Sequence, residues 1–372
     1  MRIAGKIKRV ILGLFIIIVL VAAVFLAVYF TRIQTMNSIE QLTDYSDDYN
    51  LYRMDIKYDY SLDDIIDAGI TDYQSFVDAV IKESIPILPV SIKVPSFGCT
   101  AFTLTDVEED VHMGRNYDFK NDTSAMLVYC SPKKGYKSVA FAAMDNVSAN
   151  VPDENIKKKM ATLTAPFICL DGMNEKGVSI AVLTLDSDPV SQDTGKPVIT
   201  TTMAIRLVLD NAATTEEAIE LLRSYDMLAT AGRDYHFYIT DASGDGRVVE
   251  YDCESETREL VATSTEVVTN FFIIYKDKAL PNQKNGIYGH GRERYDAVLN
   301  VMKDEEGNYT DETVWNALIS ASQDPTPNDI TSNTQWSIAY NNSNLTAEIA
   351  IRRNWTDVTT YNLESNTVEP SR

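Results

Sequence analysis

Cys99 and Thr100 are followed, sixteen and nineteen residues on, by Arg115 and Asp118, the densest grouping of reactive side chains in the chain. Two short strands, joined by the acidic turn Asp106–Asp110, would fold this stretch into a hairpin and bring Arg115 and Asp118 back beside Cys99. A guanidinium there favours a thiolate, and a carboxylate can hold an amine or ammonium. A thiol nucleophile also needs a base. The chain has three histidines, His112, His236 and His290, none at a metal-ligand spacing, so histidine-dependent chemistry and a zinc site are poorly supported. An N-terminal α-amino group titrates near about 7.7–8.0 and can take the thiol proton. Cys99 is internal, so that base exists only if the Gly98–Cys99 bond is cut. A glycine before the cysteine permits the backbone geometry self-cleavage demands. The plain alternative is a strand cysteine after a turn glycine.

Further segments fall in order behind this hairpin: Asp171-Gly-Met-Asn-Glu-Lys-Gly177, Val268-Thr269-Asn270 and Gly289-His-Gly-Arg-Glu-Arg294-Tyr295. Together with the Cys99 hairpin they resemble the choloylglycine hydrolase and penicillin V acylase group of N-terminal-nucleophile hydrolases. They also resemble its self-processing relatives, the isopenicillin-N acyltransferases, acid ceramidase and N-acylethanolamine acid amidase. The resemblance runs from about Cys99 to Trp355. It implies a four-layer αββα sandwich and acyl transfer from a linear amide by way of an acyl-enzyme, with no metal or organic cofactor. It implies Cys99 as nucleophile with its own freed amine as base, Asp118 orienting that amine, and Arg115 favouring the thiolate. Asn174 would be the oxyanion-hole donor, Asn270 would position the amine or the substrate carbonyl, and Arg294 would give electrostatic or structural support. Plain structural roles compete at four of these: a turn for Asn174, a surface ion pair for Arg115–Asp118, a solvated helix residue for Arg294. Relatives of the choloylglycine hydrolase type expose the cysteine by losing only an initiating methionine, whereas 98 residues precede it here. That favours the self-processing branch.

The elements that must position these residues are mostly strands. Cys99–Thr105, Val111–Arg115, Met126–Cys130 and Ser138–Ala143 read as β-segments, as do Phe167–Leu170 and Val178–Leu183. Helices are predicted over Thr201–Asn211 and Thr215–Ser224, the latter opening on a capping pattern. A hairpin follows over Tyr235–Thr240 and Arg247–Tyr251, then helices over Glu293–Met302 and Asp311–Ser322, then paired strands at Trp336–Tyr340 and Thr346–Ile351. Between the hairpin strands, Asp241, Ser243, Asp245, Gly246 and Asp252 sit near calcium-loop offsets. The flanks are strands and position twelve is Asp, so this reads as a turn. The tail after Asn362 reads as frayed. Upstream, Ser61–Ile85 carries apolar residues at helical spacing. Pro86, Pro89 and Pro95 then enforce an extended path into Phe97-Gly98-Cys99. Strands, then helices, then strands again predict an α+β layered domain.

Composition sets the surroundings. With 372 residues, 45% hydrophobic and 23% charged, the chain can bury a real core. A net charge of -21 argues against nucleic acid as a partner. Basic residues Arg2, Lys6, Lys8 and Arg9 precede an uncharged run, Val10–Phe30, whose length as a helix is roughly the 30 Å of a bilayer core. The expectation is a basic cytoplasmic stub over 1–9, a transmembrane signal anchor over 10–30 and an exported remainder. A cleaved signal peptide is the competing reading. Residues 31–98 are then a linker, pro-segment or small subunit, and 99–372 the catalytic domain. In an exported chain, Cys99, Cys130, Cys169 and Cys253 allow two disulfides, yet the last three lie in apolar, strand-like stretches. The expected partner is a small N-acyl amide of bile-salt, penicillin V or N-acyl amine type, with oligomeric state open. An acyltransferase and a non-catalytic, disulfide-held surface protein are the alternatives.

Overall fold

The computed structural model describes residues 2–86, 98–230, 232–284, 286–326, 329 and 332–369. Two sheets lie face to face. One has nine strands in the order Glu40–Gln41, Leu51–Asp55, Ala125–Cys130, Ser138–Ala143, Cys169–Asn174, Ser179–Leu185, Asp234–Thr240, Arg247–Tyr251 and Leu260–Ser264. The other has seven: Val267–Val268, Gly98–Thr105, Val111–Asp118, Thr334–Asn341, Thr346–Ile351, Val358–Asn362 and Thr367–Glu369. The helix Thr201–Asn211 covers the outside of the first sheet, and the helices Arg292–Asp304 and Asp311–Ser320 cover the outside of the second. The result is a four-layer αββα sandwich.

Strand composition follows from that layering. All eight residues of Val111–Asp118 and all seven of Ser179–Leu185 are buried, because each strand has a sheet on one face and a helix on the other. Alternation then sorts side chains between two interiors rather than between core and solvent. Cys99 and Ala101 join the cluster between the sheets, while Phe102 and Leu104 join Val298, Val314 and Leu318 beneath the outer helices. Gly114 is required in the hairpin: a Cβ there would lie 2.1 Å from the Phe102 ring.

Much of residues 38–86 packs into the domain. Leu51–Asp55 pairs in parallel with Ala125–Cys130, and Leu51, Met54, Ile65, Phe76 and Val80 are buried. The single helix expected over Ser61–Ile85 is two, Leu62–Asp67 and Tyr73–Ser84. Gly69 takes φ +79 between them, and Asp72 restarts the helix through a capping box with Ser75. The extended path expected through Pro89 and Pro95 lies outside the described residues. The long N-terminal helix Arg2–Asn37 exposes Ile11, Leu14, Phe15 and Ile18 and is long and apolar enough to cross a membrane by length and composition. Its last turns dock on the domain. Arg32 Nη2 and Nε donate to the carbonyls of Glu83 (2.6 Å) and Ser84 (2.7 Å).

Two further expectations are corrected. The tail is not frayed to Glu369, since Thr367–Glu369 pairs with Val358–Asn362. The strand expected at Phe167–Leu170 begins only at Cys169, because Thr162–Phe167 forms a 3-10 turn. All four cysteines are free. In the turn at 241–246, Asp241 accepts from the backbone N–H of Ser243 and of Thr215, and Asp245 pairs with Arg247, as structural turn residues do.

Candidate active site

Cys99 stands directly across from Tyr117, Ala101 from Arg115, and Gly98 from Asp118. The hairpin turn is pinned by Asp106, whose Oδ1 accepts from the backbone N–H of Glu108 and Asp110 at 2.9 Å each. With two residues per pleat, Cys99, Arg115 and Tyr117 face the nine-stranded sheet, while Thr100, Asn116 and Asp118 face the outer helices. Arg115 is fully buried between the sheets. Its Nη2 donates to the Val182 carbonyl (2.9 Å), and its Nε lies 3.3 Å from Asp171 Oδ2.

Asp171 escaped the sequence reading. Tyr340 Oη donates to its Oδ1 (2.6 Å), and burial pushes its carboxyl up against the opposing pull of Arg115. A buried guanidinium needs such a partner, but an aspartate inside Cys-Leu-Asp-Gly-Met carries no local signal of what it will face.

The backbone N–H of Cys99 donates to Asn270 Oδ1 at 2.9 Å. Arg294 closes over the same point. Its Nη1 donates to the Cys99 carbonyl (2.7 Å) and Thr100 Oγ1 (2.8 Å), and its Nη2 to Asn270 Oδ1 (2.6 Å). Arg294 Nη1 also lies 3.5 Å from Asp118 Oδ2. Asp118 accepts from Thr334 Oγ1 (2.6 Å) and Gln323 Nε2 (2.9 Å). Asn270 Nδ2 donates to the Thr184 carbonyl (2.8 Å), tying the site to the facing sheet. Five of the expected residues therefore meet: Cys99, Arg115, Asp118, Asn270 and Arg294. Thr184, Thr334 and Gln323 complete the enclosure without any signal in their local sequence.

The glycines of Gly289-His-Gly291 have a steric reason. Gly289 has φ +101 and a Cβ there would lie 2.0 Å from the Asn270 carbonyl; Gly291 has φ +85, and its Cβ would lie 2.4 Å from Arg294 Nη2. Side chains at either position would displace the residues that hold Cys99.

Asn174 does not join the site. Its Nδ2 donates to the carbonyls of Leu209 (3.1 Å) and Ala212 (2.8 Å), and its Oδ1 accepts from the backbone N–H of Lys176 and Val178. The amide is used up in closing the 174–178 turn under the Thr201–Asn211 helix. That turn also lies at the wrong end of the sandwich. A Cβ on Gly177 would lie 2.4 Å from the Asn342 carbonyl, and Asn342 bonds Val111 at the hairpin-turn end of the Cys99 strand.

At the Cys99 thiol, burial outweighs the charge of its neighbours. Burial pushes the Cys99 thiol up to about 12, the Arg115 guanidinium pulls it down by less, and Asp118 adds to the rise. The thiol of the uncut chain is therefore held neutral. The histidines are engaged elsewhere: His236 with Glu250 and the Thr269 carbonyl, His290 with Asp186, His112 with Asp106.

The family model for linear amide C–N hydrolases of the choloylglycine hydrolase family matches residues 99–310. Solved structures carry the same fold. Two variants of conjugated bile acid hydrolase from Clostridium perfringens align at 15% and 16% identity with TM-scores of 0.53 and 0.52. Each alignment covers 74% of this chain, and 97% and 96% of the respective relative. Penicillin V acylase from Agrobacterium tumefaciens aligns at 18% identity and TM-score 0.50, over 74% of this chain and 98% of that one. The chain belongs to the choloylglycine hydrolase family and is a hydrolase acting on linear amide carbon–nitrogen bonds.

Proposed function

We propose that Cys99 is the nucleophile of this amidase and that it becomes an N-terminus by self-cleavage at Gly98–Cys99. The observation that carries this reading is the cradle around the Cys99 nitrogen, with Asn270 accepting from it and Arg294 and Asp118 closing the far side. In the cut, the Cys99 thiol adds to the Gly98 carbonyl and the acyl group passes from nitrogen to sulfur. Water then hydrolyses the thioester, leaving the free amine and thiol. In turnover, that amine takes the thiol proton and the thiolate attacks the substrate carbonyl. The ammonium returns the proton to the departing amine, and water hydrolyses the acyl-enzyme.

Asp118, held by Thr334 and Gln323, fixes the ammonium. Arg115 stabilises the sulfur's charge from the opposite side. Asn270, the side-chain amide beside Cys99, takes the place at the substrate carbonyl that Asn174 cannot reach. Arg294 sets the direction of the Cys99 carbonyl and of Asn270. The substrate is an N-acyl amide, with the bile-salt, penicillin V and N-acyl amine types as the candidate classes.

After the cut the N-terminal piece stays in place, because strand pairing and buried side chains outlast one severed peptide. Each of Leu51, Met54, Ile65, Phe76 and Val80 contributes about 1.5–3 kcal/mol of burial. The apolar helix then spans the membrane with its basic end inside, and the hydrolase remains tethered outside.

The test is turnover of N-acyl amides by purified protein and by Cys99→Ala. The reading expects hydrolysis that disappears in the variant, with one amine released per acid formed. Full activity of Cys99→Ala would overturn it.

A further inference from the structure

A cleft of about 840 Å³ opens beside the Cys99 hairpin, walled by Asp47, Asp48, Phe119, Asp145 and Asn146 among others. Tyr117, the cross-strand partner of Cys99, lies with its ring 6.5 Å from Phe119, and its phenol is within electrostatic reach of both Asp145 and Cys99. The wall comes from four parts of the chain: the N-terminal piece, the end of the hairpin, the 3-10 turn Met144–Val147, and the stretch from Ser148 to Lys158.

Its charge is one-sided. Four carboxylates (Asp47, Asp48, Asp145 and Glu154) face one ammonium, Lys158, which already pairs with Glu154. Asp47 and Asp48 form no ion pair among the described residues. Asn146 is 4% exposed and its Oδ1 has no hydrogen-bond partner, so a buried acceptor stands ready for a donor. The Asp47 and Asp48 carboxylates and the Asn146 acceptor suit an ammonium, and they repel a carboxylate or sulfonate.

We propose that this cleft receives a cationic amine, making the preferred substrates N-acyl amides with a lysine-like or polyamine-like end rather than an anionic one. Asp47 and Asp48 provide the attraction, and Asn146 accepts a hydrogen bond from the ammonium or from an amide N–H. Because Asp47 and Asp48 belong to the piece preceding Gly98, the retained N-terminal segment supplies specificity as well as anchorage. The proposal rests on the Cys99 reading for its reaction, but its binding step can be measured without the thiol.

The probes are N-hexanoyl-cadaverine, neutral N-hexanoyl-pentylamine and anionic N-hexanoyl-taurine, titrated calorimetrically into the full Cys99→Ala chain in detergent. The cationic probe should bind roughly tenfold tighter than the neutral one, and the preference should shrink with salt. Asp47→Asn with Asp48→Asn, both exposed and outside the catalytic machinery, should remove most of that preference and leave the neutral probe unchanged. Equal or tighter binding of the neutral or anionic probe, or an undiminished preference in the double variant, overturns the proposal. Failure of the amidase reading looks different: wild-type protein would hydrolyse none of the three, whatever the binding order.

Discussion

Arg294 reaches the Cys99 carbonyl, Thr100, Asn270 and Asp118 at once, so its removal leaves several buried acceptors short of donors. Arg294→Met is expected to abolish the cut and lower any remaining turnover by about 100-fold or more, since each orphaned group carries a penalty of about 1–3 kcal/mol. Intact mass and kcat/KM measure this. Asn174→Ala should do the reverse. It loses two donated and two accepted hydrogen bonds of a buried turn, so thermal melting should report a loss of roughly 2 kcal/mol or more. Turnover by the protein that stays folded should be unchanged, and a specific collapse of kcat would show that Asn174 acts in catalysis.

The thiol supplies a pH prediction. Because its folded value is raised, the thiolate is scarcer at every neutral pH than in free cysteine and appears only as pH climbs toward about 12. In uncut Arg294→Met protein, iodoacetamide at pH 8 should therefore modify Cys99 at least about 100-fold more slowly than a free thiol. Reaction at the free-thiol rate contradicts the burial. Residue types told part of this in advance. Cys99, Arg115 and Asp118 were legible because a hairpin with an acidic turn fixes where sixteen and nineteen residues lead. Asn174 misled because an asparagine before Glu-Lys-Gly suits a turn as well as an oxyanion hole, and only the position of Leu209 and Ala212 decides between them.

At the scale of elements, the hairpin and the Gly289–Gly291 passage together clamp the backbone of Cys99. Gly289→Ala forces a methyl group to within 2.0 Å of the Asn270 carbonyl at a φ of +101. A loss of roughly 2–3 kcal/mol is expected, together with failure to cut. Melting temperature and intact mass read both, and a stable, normally processed variant would refute the clamp. Most strands were legible as short β-type runs between polar turns, and Ser138–Ala143, Arg247–Tyr251 and Thr346–Ile351 have the limits read from the sequence. Leu51–Asp55 was not, because its parallel partner Ala125–Cys130 lies some seventy residues downstream and nothing local marks the pairing. Gly69 and Asp72 carried the break between the two upstream helices, a signal that apolar spacing alone overrides.

For the whole molecule, severing residue 98 from residue 99 changes connectivity without removing an element of the sandwich. The nicked protein should migrate as one species in mild detergent and separate into two chains only in denaturant, as size-exclusion chromatography followed by denaturing electrophoresis will show. Free release of the downstream chain under native conditions would mean that Leu51–Asp55 and its neighbours do not hold. The layered α+β architecture was legible because the order of strands and helices admits few arrangements. The role of the upstream piece was not, since its apolar residues became meaningful only once placed against the nine-stranded sheet.

On the reading proposed above, Cys99 becomes a chain terminus before it acts on a substrate. Mass spectrometry of the denatured, purified protein tests it most directly, comparing the native chain with Cys99→Ala. A fragment running from Cys99 to Arg372 in the native protein, absent from the variant, is the predicted result. A native chain that stays whole while hydrolysing amides contradicts the account.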